Sequence, residues 1–392
     1  MSETTLSGYF DYNATTPLSN SVKSEMLKAL DIYGNASSPY SRAQESKALV
    51  DSARENMAQL MGAETSQMFF TSCGSEANNW AIKGSLARHA KNPGHIITTA
   101  IEHPSVLEPI AYMEQVHGFS VTRLVPDVEG RVREEDFLSA LRPNTQFVSV
   151  MYANNETGAL QPIGPILEEA RRRAITSHTD AVQALGKCTL DDRILAADYV
   201  SFSAHKFYGP KGIGGLYVRR PGELAQLIHG GGQEMGLRAG TENLVGMAGL
   251  ARASEDCTQL LPEWESHYRR LRHRITRKLQ DSGLGIEFNG PQDPSKCVGN
   301  TINFSVPGVR GEALAALLDH KHQTQVSIGS ACSNNKSSKS SHVLVAMGLG
   351  DERIQSAIRM SFGRYTTEDE LDRFVNNLHA CAEQLLGIST PS

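Results

Sequence analysis

The chain has 392 residues, a net charge of −5 and a hydrophobic content of 40%, the composition of an ordinary soluble globular protein with room for two or three domains. The acidic balance gives no reason to expect nucleic-acid binding, and no apolar run approaches the roughly 20 residues that span a bilayer. Because the N-terminus has no basic region followed by an apolar stretch, the sequence predicts a cytoplasmic protein.

Six cysteines lie far apart, and no two form a Cys-x-x-Cys pair. This spacing argues against a disulfide framework and against a cysteine-rich zinc site. Five of the cysteines are expected to be small apolar fillers or incidental. The exception is Cys332, which opens a long polar run.

From about residue 15 to 255, short β-rich runs alternate with amphipathic, helix-like stretches. The predicted strands are Gln67–Thr71, His95–Ala100, Thr145–Ala153 and Asp198–Phe202, and the predicted helices include Val50–Met61 and Ile166–Ile175. This alternation predicts an α/β fold with a mainly parallel sheet covered by helices. In such sheets, ligands bind beyond the carboxyl ends of the strands.

After about residue 256 the pattern changes. A basic amphipathic helix is expected to end near Gly283 or Gly285, and its charged face is either a solvated surface or a dock for an acidic partner. The later predicted elements are a strand at Thr301–Val306, a helix at Gly311–Leu318, a strand at Ile358–Phe362 and a helix from about Thr367. We therefore expect a large domain at residues 15–255 and a smaller α+β domain at residues 1–14 and 256–392.

The segment Ser203–Lys206 follows a predicted strand with a hydroxyl, an imidazole and a lysine, and glycines and a proline come next. A lysine at the mouth of a buried strand is poorly solvated, and a neighbouring imidazole further disfavours its ammonium form. The free amine can then react with a carbonyl group. The alternative is a surface lysine in a turn.

Four other polar segments follow predicted strands or open helices. Gly74 and Ser75 open a helix whose N–H groups suit a phosphate, although the same residues also make ordinary caps. His178 and Asp180 share one strand face, but no third metal ligand is evident, and Asp180 is better placed beside a cofactor's ring nitrogen. On composition alone, His103 is typical of a structural histidine and Asn155 of a loop.

Taken in chain order, these motifs closely resemble the cysteine desulfurase family (NifS/IscS-like, class V aminotransferases). The resemblance spans nearly the whole chain, from Asp11–Pro17 to Arg359–Thr367. It implies pyridoxal phosphate as the cofactor and fold type I of the enzymes that use it, with a seven-stranded type of sheet. The departures are Ala36 and Tyr40, which stand where relatives carry proline and histidine, and Lys339-Ser340-Ser341, where many relatives carry a proline.

The resemblance also implies a role for each site residue. Lys206 would bind the cofactor, and Asp180 would lie at its ring nitrogen. Gln183 and Asn155 would contact the ring oxygen, and His103 would stack on the ring and assist proton transfer. The residues towards the phosphate would be Gly74, Ser75, Ser203 and His205. Thr241, in the glycine-rich segment 230–243, would reach the phosphate of a neighbouring subunit. A homodimer is therefore expected.

The reaction is indicated by Gly-Ser-Ala-Cys at residues 329–332, which a polar run typical of a mobile loop follows. Lys336 and Lys339 would favour a thiolate if they come near the sulfur. In the resembling family this cysteine attacks the sulfur of the bound cysteine and gives a persulfide and alanine. Arg359 can hold the substrate carboxylate from its strand face, and Asn35 is a second contact by resemblance.

The leading function is therefore an L-cysteine desulfurase that passes sulfur to an acceptor protein. No resting metal is expected, and Cys332 is a candidate transient ligand of an iron–sulfur cluster. The alternatives are a selenocysteine lyase, a class V aminotransferase and a non-catalytic sulfur-relay scaffold. Iron–sulfur assembly, tRNA thiolation and DNA phosphorothioation all remain open as destinations for the sulfur.

Overall fold

A computed structural model describes residues 7–328 and 340–389 of the chain. Its larger sheet has seven strands. They are β1 (Met68–Thr71), β2 (His95–Thr99), β3 (Ser120–Leu124), β4 (Thr145–Ser149), β5 (Thr176–Asp180), β6 (Tyr199–Ser203) and β7 (Gly214–Val218). A second sheet contains β8 (Glu287–Phe288), β9 (Thr301–Ser305) and β10 (Ala357–Ser361).

The α-helices of the described residues lie between and around these strands. They are α1 (Asn20–Ala29), α2 (Arg42–Met61), α3 (Gly74–Asn79), α4 (Pro104–His117), α5 (Glu134–Ala140), α6 (Ile163–Arg172), α7 (Leu244–Gln280), α8 (Gly311–His322), α9 (His342–Ala346), α10 (Asp351–Gln355) and α11 (Glu368–Ser389). Within residues 7–328 and 340–389, none of them has both the length and the apolar composition needed to cross a membrane.

The large sheet confirms the predicted α/β class. Its strand order is β1-β7-β6-β5-β4-β2-β3, with parallel pairing from β3 through β6. β7 is antiparallel to both of its neighbours, so β1 runs in the same direction as β6. The carboxyl ends of five strands that precede polar motifs therefore lie at one edge of the sheet, and they bring distant parts of the sequence together there.

The burial pattern explains why the predicted runs form strands. Every residue of β2, β5 and β6 is buried, as expected for central strands that helices cover on both faces. β4 ends at Ser149, before the predicted limit, but the N–H groups of Val150 and Tyr152 still bond to carbonyls of His178 and Asp180. The chain therefore reaches the next motif in an extended path along β5.

Helix boundaries follow from local capping. Pro104 is the first residue of α4, where its missing N–H costs nothing, and the His103 ring accepts a hydrogen bond from the Ser105 N–H. Before α11, Thr367 and Glu370 exchange side-chain and backbone bonds in a capping box, close to the predicted start of this helix.

Helix α7 joins the two sheets. It is 37 residues long, contains Pro262, packs against α1, α2 and α11, and passes through the predicted domain boundary at residues 255–256. Part of its basic face contacts another helix of the same chain, because Arg274 and Lys278 form ion pairs with Asp372 of α11. The division into residues 15–255 and the remainder stays a prediction.

We predict that Gly363→Ala destabilises the protein, because an added Cβ would lie 2.1 Å from Cε1 of the buried Tyr12 ring. Overpacking of this kind costs about 1–3 kcal/mol, so the urea midpoint should fall. Gly222→Ala is the control, since nothing lies within 4 Å of its added Cβ. Equal midpoints for the two variants would show that Tyr12 moves aside without cost.

Candidate active site

A cavity of about 230 Å³ lies at the carboxyl edge of the large sheet. Its lining residues are Cys73, Gly74, Ser75, Asn78, His103, Ser105, Met151, Ala153, Asn155, Asp180, Val182, Gln183, Ser203, His205 and Lys206. Nine of the residues expected from the sequence thus share one cavity. The topology accounts for this, because each follows a strand whose carboxyl end lies at this edge.

Lys206 reaches the cavity from a single helical turn, Ala204–Lys206, directly after β6. Its Nζ donates to the carbonyl oxygens of Asn13 at 2.6 Å and Ala14 at 2.8 Å. The N-terminal segment therefore holds the amine at the cavity wall. An amine in this position can meet the carbonyl group of a bound ligand.

Asp180 is the last residue of β5 and is almost fully buried. Its Oδ1 accepts the backbone N–H of Val182 at 2.9 Å, and its Oδ2 accepts the side-chain amide of Asn78 at 2.7 Å. Each carboxylate oxygen can accept more than one bond, so the group can still face a protonated ring nitrogen.

A short chain of hydrogen bonds connects Asp180 with His103. The Asn78 amide also donates to Ser105 Oγ at 2.8 Å, and Ser105 Oγ lies 2.7 Å from His103 Nδ1. Because Nδ1 also accepts the Ser105 N–H, the ring carries its proton on Nε2. Burial lowers the pKa of His103, and the positive charge of Lys206 lowers it further, while Asp180 opposes this shift. The imidazole is therefore neutral.

The opposite end of the cavity suits an anion. Ser203 Oγ is buried and has no hydrogen-bond partner among the residues that the structure describes. A Cβ at Gly74 would lie 2.8 Å from Val182 Cγ2, so only glycine leaves the space open. His205 contacts Thr15 Oγ1 at 3.1 Å, and burial is the main cause that lowers its pKa to about 4.

Arg359 lies beside the cavity on β10, in the second sheet. Its Nη1 donates to the backbone oxygen of Asn155 at 3.1 Å, and its Nη2 pairs with Asp11 Oδ1 at 2.5 Å. The Nε atom is buried without a partner in the described parts of the chain. The guanidinium is thus fixed in place by two elements far apart in the sequence.

Besides Arg359, two expected residues of the described chain do not line this cavity. Asn35 is exposed in a turn, where its Oδ1 accepts the Ser37 N–H at 2.9 Å. Thr241 lines a separate cavity of about 160 Å³, together with Ser72 and other residues. Cys332 lies outside the described residues. The roles given to these three residues stay predictions.

His178, the other candidate on the Asp180 strand, is a structural residue. Its ring nitrogens lie 2.8 Å from Ser149 Oγ and 2.9 Å from Ser201 Oγ, on the two neighbouring strands. Burial lowers its pKa to about 3, so the ring is neutral. Among residues 7–328 and 340–389, no group of three His, Cys, Asp or Glu side chains is placed to hold a metal.

Sequence reasoning gave no role to Asn78, Ser105 or Met151, and it expected Cys73 to be an apolar filler or incidental. Cys73 is instead only partly buried and lines the cavity, whereas the other four described cysteines are buried. Asn78 could have been recognised as a candidate site residue, because it belongs to the polar segment that follows β1. Its bond to Asp180 joins residues 102 positions apart, which no local pattern predicts.

Comparison with known proteins agrees with this arrangement. The sequence profile of the family "Aminotransferase class-V" matches residues 8–374. The cysteine desulfurase IscS of Clostridium botulinum (strain Hall) is 43% identical over 365 residues, which are 93% of this chain and 91% of that protein.

Two solved structures are similar over almost their full length. A NifS-like protein superposes with a TM-score of 0.89 at 37% identity, over 96% of this chain and 99% of the other. A structure described as SspA in complex with cysteine superposes with a TM-score of 0.80 at 34% identity, over 92% of this chain and 100% of the other. The chain belongs to the class-V aminotransferase family.

Proposed function

We propose that this protein is an L-cysteine desulfurase that uses pyridoxal phosphate. It removes sulfur from L-cysteine, releases L-alanine and holds the sulfur as a persulfide on Cys332. The observation that carries the proposal is the single cavity that joins Lys206, Asp180 and the unpartnered hydroxyl of Ser203. An amine, a buried carboxylate and an anion-binding end are the groups that this cofactor needs. Membership of the family supports the same cofactor.

The residues at the Ser203 end would hold the cofactor's phosphate. A buried hydroxyl without a partner is uncommon in folded proteins, so a ligand oxygen is the expected partner of Ser203. Gly74 leaves the space for it, and Ser75 and His205 line the same cavity. These four residues were the ones expected at the phosphate.

When bound, pyridoxal phosphate supplies an electron sink for a carbanion on the substrate, provided that its ring nitrogen stays protonated. Asp180 would keep that proton in place, because two donors orient its carboxylate. The amide of Gln183 and the side chain of Asn155 would meet the ring oxygen. His103 would assist proton transfer at the substrate through Nε2, the ring atom that Ser105 does not engage.

Arg359 would bind the substrate's carboxylate. The buried guanidinium is oriented by Asp11 and by the Asn155 carbonyl, and its unused Nε–H can donate to a second anion. A fixed planar donor recognises a carboxylate with little loss of entropy. Asn35 remains the proposed second contact.

The thiolate of Cys332 would attack the substrate sulfur. A sulfur–sulfur bond forms as the carbon–sulfur bond breaks, and the bonding electron pair stays with the carbon, which takes up one proton to give alanine. The two sulfur atoms are oxidised while the carbon is reduced, so no external oxidant is needed. A thiolate suits this step because it is the nucleophilic form of cysteine.

We also propose that sulfur leaves Cys332 for a thiol of an acceptor protein, and that the enzyme works in the cytoplasm as a homodimer. In that dimer Thr241 completes the phosphate site of the neighbouring subunit. Its position in a separate cavity of the single chain supports this arrangement, because Thr241 does not reach Lys206 within its own subunit.

We predict that Cys332→Ser retains the colour change on adding L-cysteine but loses alanine release, by a factor of at least about 100. A serine hydroxyl stays protonated near neutral pH and attacks sulfur poorly. The control is Cys73→Ser, which changes a thiol that lines the cavity. Alanine is measured without an added keto acid, which excludes transamination. Alanine release at the wild-type rate from Cys332→Ser would overturn the assignment.

We predict that Ser203→Ala raises the dissociation constant of pyridoxal phosphate about tenfold, since a hydrogen bond to a charged group is worth about 1.5 kcal/mol. The constant is measured by titrating the cofactor-free protein and following visible absorbance. Thr179→Val is the matched control, because its hydroxyl is also buried and unpartnered but does not line the cavity. Equal constants for both variants would place the phosphate elsewhere.

A subunit-mixing experiment tests the role of Thr241. Mixed dimers of Lys206→Ala and Thr241→Val subunits should contain one site with both native residues, so each purified mixed dimer should have about half of the wild-type activity. If Thr241 acts within its own subunit, every site in the mixed dimer has one defect and mixing restores nothing. A fully active monomer at high dilution would also contradict the proposal.

A further inference from the structure

Lys187 is a second buried lysine, and the reaction described above gives it no task. It lies in a short turn after β5, and only 2% of its surface is exposed. Its Nζ donates to Asn13 Oδ1 at 2.8 Å and to Gln183 Oε1. No carboxylate of the described residues lies within ion-pair distance of it. Burying an amine costs free energy unless hydrogen bonds compensate for its lost hydration.

These contacts fix the orientation of the Gln183 side chain. Its Oε1 accepts from Lys187, and its Nε2 donates to the Asn13 carbonyl at 3.1 Å. A flipped amide would place its oxygen against the Asn13 carbonyl, and two acceptors repel each other there whatever the charge of Lys187. The Gln183 oxygen is thus occupied, and the amide presents its remaining N–H to a ligand in the cavity.

Lys187 also acts on the residue that holds Lys206. The Asn13 carbonyl accepts from both Gln183 and Lys206, while the Asn13 side chain accepts from Lys187 and donates to Thr301 Oγ1 at 2.8 Å. Lys187 therefore bonds to the side-chain amide of Gln183, which lines the cavity, and to that of Asn13, whose carbonyl holds Lys206.

Burial and the charged groups around Lys187 determine its pKa. Burial lowers its pKa well below the usual value, and the charges of Lys206 and Arg359 lower it further, whereas Cys188 and Asp11 raise it. Of these, Lys206 lines the cavity and Arg359 lies beside it. A neutral amine still donates hydrogen bonds, so the orientation of Gln183 does not depend on the charge of Lys187.

We propose that Lys187 is a positioning residue for cofactor binding, which holds the Gln183 amide with an N–H group towards the ring oxygen of pyridoxal phosphate. The inference rests on the proposed function, because that function places the ring oxygen next to Gln183. Lys187 does not line the cavity, and its effect on cofactor binding is exerted through Gln183.

A double-mutant cycle on the full chain loaded with pyridoxal phosphate tests this proposal. Lys187→Met and Gln183→Ala should each raise the dissociation constant of the cofactor about tenfold, and each should shift its visible absorption maximum. The double variant should lose no more than Gln183→Ala alone. The control Lys296→Met removes a lysine that pairs with Glu129, away from the cavity, and should change neither quantity.

Losses that multiply to about 100-fold in the double variant would overturn the proposal, because Lys187 would then act independently of Gln183. If Lys187→Met does not fold, Gln183→Glu decides the matter. In Gln183→Glu, one carboxylate oxygen pairs with Lys187, and the other faces the cavity in place of an N–H group. The affinity for the cofactor should therefore fall at least as far as in Gln183→Ala. Wild-type affinity in Gln183→Glu would contradict the proposal. A wild-type protein that binds no cofactor would instead refute the proposed function.

Discussion

The hydrogen bonds of Asn13 are the interaction on which the site depends. This residue is 2% exposed, and it ties the N-terminal segment to both sheets. Its partners are Ser361, Thr301, Asn155, Asn300, Lys187, Gln183 and Lys206. In a buried environment such a network is strong when every member is satisfied and costly when one is missing. The position of the Lys206 amine is therefore fixed by a segment far from it in sequence.

The sheet provides the other half of the arrangement. Parallel strands end at the same edge, and the antiparallel β7 lets β1 share that direction with β6. Three parts of the site thus meet at this edge, each at or directly after the end of its strand. They are the helix that begins at Gly74, the carboxylate of Asp180 and the turn that carries Lys206. Functional groups at strand ends are held by rigid elements, which suits a reaction that requires defined geometry.

Much of this could be predicted from the sequence, because the relevant signals are local. The apolar run before Lys206, the capping residues at Thr367 and the polar segment at each strand end are all visible in short windows. The unpredicted contacts are long-range ones. Asn78 meets Asp180, Lys187 meets Asn13, and Arg359 meets Asp11, and each pair is more than 100 residues apart. Residue type and periodicity carry no information on such pairs, which depend on how the elements pack.

The placement of Arg359 and Lys206 on different sheets has a consequence for substrate selection. In the proposed function, an amino acid with its carboxylate on Arg359 and its amino end near Lys206 would span the boundary between the two sheets. The length available to it would then be set by Asp11, which holds Arg359, and by the buried Asn13, which holds Lys206. Since close-packed interiors deform little, a substrate with a longer backbone would be rejected by the rigidity of the protein, not by an unfavourable contact with its side chain.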